Sequence, residues 1–73
     1  NIGAGTVTCN FDGDKKHKTN IKSKAFIGSG TMIIAPIIIN EGAKIGAGAV
    51  LTQNVQKYSL VYGVPAKKIR DLK

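Results

Sequence analysis

The groups that could do chemistry crowd into one polar run near the start of the chain. Cys9, Asp12, Asp14 and His17 lie there, with Lys15, Lys16 and Lys18 between and beside them and Lys22 and Lys24 just beyond. A histidine is the usual general base for an attacking amine or hydroxyl, but it must come within hydrogen-bond reach of the proton it takes. Nothing in the spacing aims His17 at such a proton, and it reads as a solvated loop residue. Cys9 has no neighbouring base in sequence to raise its thiolate fraction, so nucleophilic chemistry there has less support still. Asp12 and Asp14 lack the further oxygen ligands a hard cation needs and read as turn formers around Gly13. No metal site is expected.

The charge is more informative. Eleven Lys or Arg stand against four Asp or Glu, for a net charge of +7. One cluster is the lysine run above; the second is Lys67, Lys68, Arg70 and Lys73. Such patches read either as solvated surface or as attraction of an anion: a phosphorylated cofactor, nucleic acid or acidic lipid. Nucleic acid fits poorly, because the chain has no Trp, two Tyr and two Phe to stack on bases and no recognised binding motif. No stretch approaches the ~18 apolar residues of a membrane span. A single cysteine excludes an internal disulfide, and nothing at Asn1 reads as a secretion signal, so the cytoplasm is the default compartment.

What must position these groups is a repeat. An aliphatic residue returns at every sixth position: Ile21, Ile27, Ile33, Ile39, Ile45 and Leu51. A period of six suits a parallel β-helix of hexapeptides, each giving one short strand and one corner, with three to a coil of 18 residues. Small residues recur at the fourth position after each anchor, at Ala25, Thr31, Ala43, Ala49 and Val55, where volume near a corner is scarce. Ile37 breaks that pattern behind Pro36, which removes a ladder donor, so an irregular corner is expected there.

Residues 1–8 and 21–56 therefore read as hexapeptide coils. Ile2 and Thr8 are one repeat apart, but Thr8 and Ile21 are separated by two repeats plus one. Residues 9–20 are read as a loop extruded from the coil, where function concentrates on a rigid scaffold. Residues 57–73 read as a final strand and a cap: Tyr58 to Val64 as the strand, Pro65 as the first turn of a short helix, and Ala66 to Leu72 as that helix over the open end. The whole is one small all-β domain. A solenoid this short has two open edges, which predicts either a homo-oligomer or a piece of a longer chain.

The run Asn1-Ile2-Gly3-Ala4-Gly5-Thr6-Val7-Thr8-Cys9-Asn10-Phe11-Asp12-Gly13, followed by Lys16-His17-Lys18-Thr19, resembles the acetyltransferase domain of the bifunctional bacterial enzymes that make UDP-N-acetylglucosamine. The resemblance covers residues 1–56. It implies a left-handed parallel β-helix, against the usual right-handed crossover. It also implies acetyl-CoA as co-substrate, glucosamine-1-phosphate as acceptor, and a homotrimer with sites between subunits. By resemblance, Asn1 matches a contact to the amino sugar. Ala4, Asn10, Phe11, Ser29 and Ala47 match coenzyme contacts, Phe11 standing where the family has a tyrosine. Lys16 and its neighbours would attract the coenzyme phosphates. The family's catalytic histidine falls before Asn1, so no residue of this chain is assigned as the base. Its coenzyme-binding arginine falls at Gly63. There the chain reads Gly63-Val64-Pro65-Ala66-Lys67, similar to the ending of other hexapeptide acyltransferases, and Lys67, Lys68 or Arg70 would take over the phosphate contact.

Two other readings stand beside this one: a non-catalytic β-helical trimerisation module or gene remnant, and a hexapeptide O-acetyltransferase, suggested by the Gly-x-Pro-Ala-Lys ending. A zinc enzyme on the same repeat would need several histidines where the chain has one.

Overall fold

Each hexad places one apolar side chain toward an axis and turns the chain by a third of a circle, so the first consequence of the period is a ladder. In the computed structural model, which describes residues 1–9 and 18–73, nine strands wind into a three-sided prism of 38 × 20 × 19 Å. One face has three strands, ordered β1 (Val7–Cys9), β4 (Met32–Ile34), β7 (Val50–Leu51). A second has two, β2 (Thr19–Ile21) and β5 (Ile37–Ile39). The third has four: β3 (Phe26–Ile27), β6 (Lys44–Ile45), β8 (Ser59–Gly63) and β9 (Ala66–Asp71). All pairings are parallel except the last, β8 with β9. The fold is a three-sided, left-handed parallel β-helix.

The isoleucines form the core. Ile27 sits on Ile45 and Ile45 on Val61; Ile33 sits on Leu51; Ile21 sits on Ile39. Ile27, Ile33, Ile39 and Ile45 are buried, each a gain of about 1.5–3 kcal/mol over exposure. Ala25, Thr31, Ala43 and Ala49 are buried at the corners, as the fourth-position pattern predicts. Thr31 keeps its hydroxyl satisfied by donating to the Gly28 carbonyl at 2.7 Å.

The register explains the phase slip. Thr8 pairs with Ile33, 25 residues on, whereas Ile33 pairs with Leu51, 18 on. The first coil thus carries seven residues more than a regular one. They fall between Cys9 and Thr19, where the coil below has only Ala35 and Pro36. Thr8 to Ile21 is one repeat plus seven residues, not two plus one.

The last coil departs in the other direction. Val55 does not lie under Ile37 in the small-residue column. It bridges to Ile39 in the aliphatic column, an offset of 16. The chain cuts this corner two residues short, and Ser59 takes the small position beneath Ala43, fully buried with its hydroxyl donating to the Gln56 carbonyl at 2.7 Å. The shortcut removes a backbone acceptor from below Ile38. The Asn54 side chain replaces it, its Oδ1 accepting from the Ile38 N–H at 2.8 Å.

The expected C-terminal helix is absent. Ala66–Asp71 is the strand β9, folded back antiparallel on β8 through a turn at Val64 and Pro65. The reason is the edge. β8 ends the stack with a row of backbone donors and acceptors that a returning strand satisfies and a helix would leave open. Leu72 N–H closes the hairpin on the Tyr58 carbonyl, and Lys73 Nζ lies 3.9 Å from the centre of the Tyr58 ring.

Candidate functional site

The corner between the four-stranded and three-stranded faces repeats three times: Gly3-Ala4-Gly5-Thr6, Gly28-Ser29-Gly30-Thr31 and Gly46-Ala47-Gly48-Ala49. The first glycine of each is required by crowding. A Cβ on Gly3 would stand 2.4 Å from Ser29 N, and one on Gly28 2.5 Å from Ala47 N. The second is required by backbone, with φ of 76°, 72° and 76° at Gly5, Gly30 and Gly48. Carbonyl-to-amide bonds lock the corners to one another, Gly30 N–H to Ala4 O and Gly48 N–H to Ser29 O, both 2.9 Å.

Between the glycines stand Ala4, Ser29 and Ala47, all exposed. They form one straight row down the edge of the prism, about 4.8 Å apart per coil. The structure therefore brings together three residues that sequence reasoning picked from separate hexads. The row is narrow, carries no bulky side chain, and has backbone amide and carbonyl groups along it. Such a surface suits a thin, extended chain bearing amides of its own, as the pantetheine arm of coenzyme A does.

Asn1 lies at the upper end of the neighbouring face, above Phe26. Its amino group donates to Ala25 O at 3.0 Å and its carbonyl accepts from Ile27 N at 2.8 Å. Below it on the same outward column come Phe26 and Lys44, the Lys44 ammonium 5.7 Å from the Phe26 ring centre.

At the lower end the three cations proposed for phosphate contact separate. Lys68 is engaged, 2.6 Å from the Asp71 carboxylate and 3.2 Å from Gln56 Oε1. Arg70 is exposed opposite Leu60. Lys67 is exposed opposite Tyr62, one step from Gly63, and carries the register nearest to the corner row. Asn10, Phe11, Lys16 and His17 lie outside the described residues. Among the described residues no three His, Cys, Asp or Glu side chains gather as a metal would need.

A concavity of about 290 Å³ opens under the last coil, lined by Leu51, Val55, Val61 and Ala66 with Lys67 and Lys68 at its wall. It arises because the four-stranded face extends beyond the other two. Sequence reasoning missed it, since it depends on the shortened corner at Val55 and on β9. Tyr62 takes the next position of the corner-glycine column. Its ring lies against Gly46, where an added Cβ would meet Cδ1 at 2.4 Å, directly below the column of corner glycines.

Comparison with known proteins agrees with this fold. Residues 18–53 match the bacterial transferase hexapeptide (six repeats). The bifunctional protein GlmU of Thermotoga petrophila is 52% identical over 71 residues, 97% of this chain, and the chain spans about 16% of the length of that relative. A hexapeptide-repeat acetyltransferase of Vibrio cholerae O1 biovar eltor, solved with acetyl-coenzyme A, superposes with a TM-score of 0.91 at 25% identity, covering 99% of this chain and 45% of that one. Serine acetyltransferase of Brucella abortus strain S19, solved with coenzyme A, gives a TM-score of 0.85 at 27% identity, covering 94% of this chain and 28% of that one. No helix among the described residues is long and apolar enough to cross a membrane. The chain is a hexapeptide-repeat domain, related over nearly its whole length to a segment of the bifunctional GlmU proteins.

Proposed function

We propose that these coils are the coenzyme-binding part of an acetyl-CoA-dependent N-acetyltransferase that acts on glucosamine-1-phosphate in UDP-N-acetylglucosamine synthesis. The row Ala4–Ser29–Ala47 carries the reading, because it offers an arm-width track ending near Asn1 at the top and Lys67 at the bottom. Asn1 holds the amino sugar. The pantetheine arm lies along the row, with Asn10 and Phe11 adding contacts from the inserted segment. Lys67 and Lys16 neutralise phosphate charge.

In the reaction the sugar amine attacks the thioester carbonyl carbon, a base takes the amine proton, and the carbon–sulfur bond breaks to release the coenzyme thiol. The resemblance assigns the base to a histidine outside this chain, so His17 is given no catalytic role. The working unit is a homotrimer in the cytoplasm, with each site shared between subunits.

Two measurements test the proposal. Calorimetry on the 73-residue chain should give coenzyme A binding, and a product assay should detect no N-acetylglucosamine-1-phosphate. Robust turnover would overturn the assignment of the base. Absence of coenzyme binding in a chain shown by sedimentation to be trimeric would overturn the enzyme reading in favour of a structural module.

A further inference from the structure

We infer that the outer edge of β9 is a docking edge for an extended, acidic peptide segment of another protein, which adds there as a further strand of the four-stranded face. β9 is the last strand of that face, and among the described residues it pairs on one side alone, with β8. At six residues it is also the longest of the described strands. About half of its backbone donors and acceptors point away from β8, which makes a template for one more strand. The edge is open in this way whether or not the corner row holds a coenzyme.

Three observations say what kind of strand fits. The first is charge. Leu60 and Tyr62 alternate with the buried Ser59 and Val61, so their partners Arg70 and Lys67 stand on the outer side of the face, both exposed. The single acid of β9, Asp71, is paired with Lys68, and the outer side of the strand is left cationic. The second is self-exclusion. Two copies of β9 in full antiparallel overlap would set Lys67 opposite Arg70, and like charges directly opposite destabilise a pair. The third is the concavity of about 290 Å³ on the inner side of the same edge, lined by Leu51, Val55, Val61 and Ala66. Successive side chains of a strand point to opposite faces, so a segment alternating carboxylate and aliphatic residues meets both demands at once. Its acids lie toward Lys67 and Arg70, and its aliphatics turn toward the hollow. Cations on an edge strand alone would merely blunt aggregation. The apolar hollow beside them makes this edge selective, closed to its own copy and complementary to a strand of opposite sign.

The test separates strand addition from charge attraction. A fluorescent peptide of alternating Glu and Val is titrated into the 73-residue chain and followed by anisotropy. Three control peptides accompany it: alternating Lys and Val, alternating Glu and Ser, and the Glu–Val peptide N-methylated at alternate amides, which keeps its charge but cannot form the ladder. The Glu–Val peptide is expected to bind, and each control to bind at least about tenfold more weakly. Arg70→Glu should weaken the Glu–Val peptide about tenfold, while Arg70→Lys, which keeps the charge, stays within about twofold of the parent. Amide hydrogen exchange should slow within residues 66–71 on binding. Equal binding of the N-methylated or the Glu–Ser peptide would reduce the contact to charge alone and overturn the inference, as would equal binding of the Lys–Val peptide or no binding of the Glu–Val one. Slower exchange of the same amides on raising the chain concentration without peptide would assign the edge to a second copy, and that too would overturn it.

Discussion

At the scale of single residues, the corners discriminate between two kinds of glycine. Gly28 is needed for space: Ala47 backbone lies behind it and cannot yield without moving a coil. Gly48 has no atom within 4 Å of where a Cβ would go, but its φ of 76° disfavours any L side chain. Gly28→Ala should therefore cost about 1–3 kcal/mol through overpacking, and Gly48→Ala about 1–2 kcal/mol through backbone strain alone, both read from urea midpoints. Lys24 (φ 61°), Gly42 (φ 68°) and Tyr58 (φ 47°) stack at another corner, so the coil imposes the left-handed turn whatever residue arrives there. Ala4, Ser29 and Ala47 were legible in the sequence because each sits in the same Gly-x-Gly frame. The place of Tyr62 below Gly46 was not, because the two-residue shortcut before Val55 shifts it out of the hexad count.

At the scale of elements, the coils from Ile21 to Leu51 could be read directly, since a buried column demands one aliphatic every six residues. The ends could not. Val55 is aliphatic and small enough for either column, and only the position of Ile39 above it decides. Pro65 opens helices and turns alike, and Ile69 with Leu72 fits a helical face as well as a strand. What selects the strand is the open edge of β8, which exists only once the coil is wound. Removing residues 66–73 should therefore lower stability by at least about 2 kcal/mol, from ladder bonds worth about 1 kcal/mol each. It should also turn the exposed edge into an aggregation site, visible as concentration-dependent light scattering. Unchanged stability and a clear solution would mean that the hairpin caps nothing.

At the scale of the whole molecule, stability is distributed by distance from the ends, as in any solenoid whose coils touch only their neighbours. Ile33 is fully buried between two coils, whereas Ile69 on the returning strand β9 is 58% exposed. Ile33→Ala should cost about 2–5 kcal/mol and Ile69→Ala less than about 0.5 kcal/mol in denaturant titrations of the same chain. The exposed apolar residues Val7, Met32 and Ile34 line one flat side of the prism, which is consistent with the assembly proposed above.

The seven surplus residues of the first coil have a wider consequence. Cys9 and Thr19 are each docked to the coil beneath them, at Ile34 and Ile37, where two residues suffice for the same join. The length of the insert is thus uncoupled from the alignment of everything around it, and closing a longer excursion adds little entropic penalty per added residue. The two flanking strands keep their register whether two residues or nine join them, so a change of length at this join leaves the rungs on either side untouched.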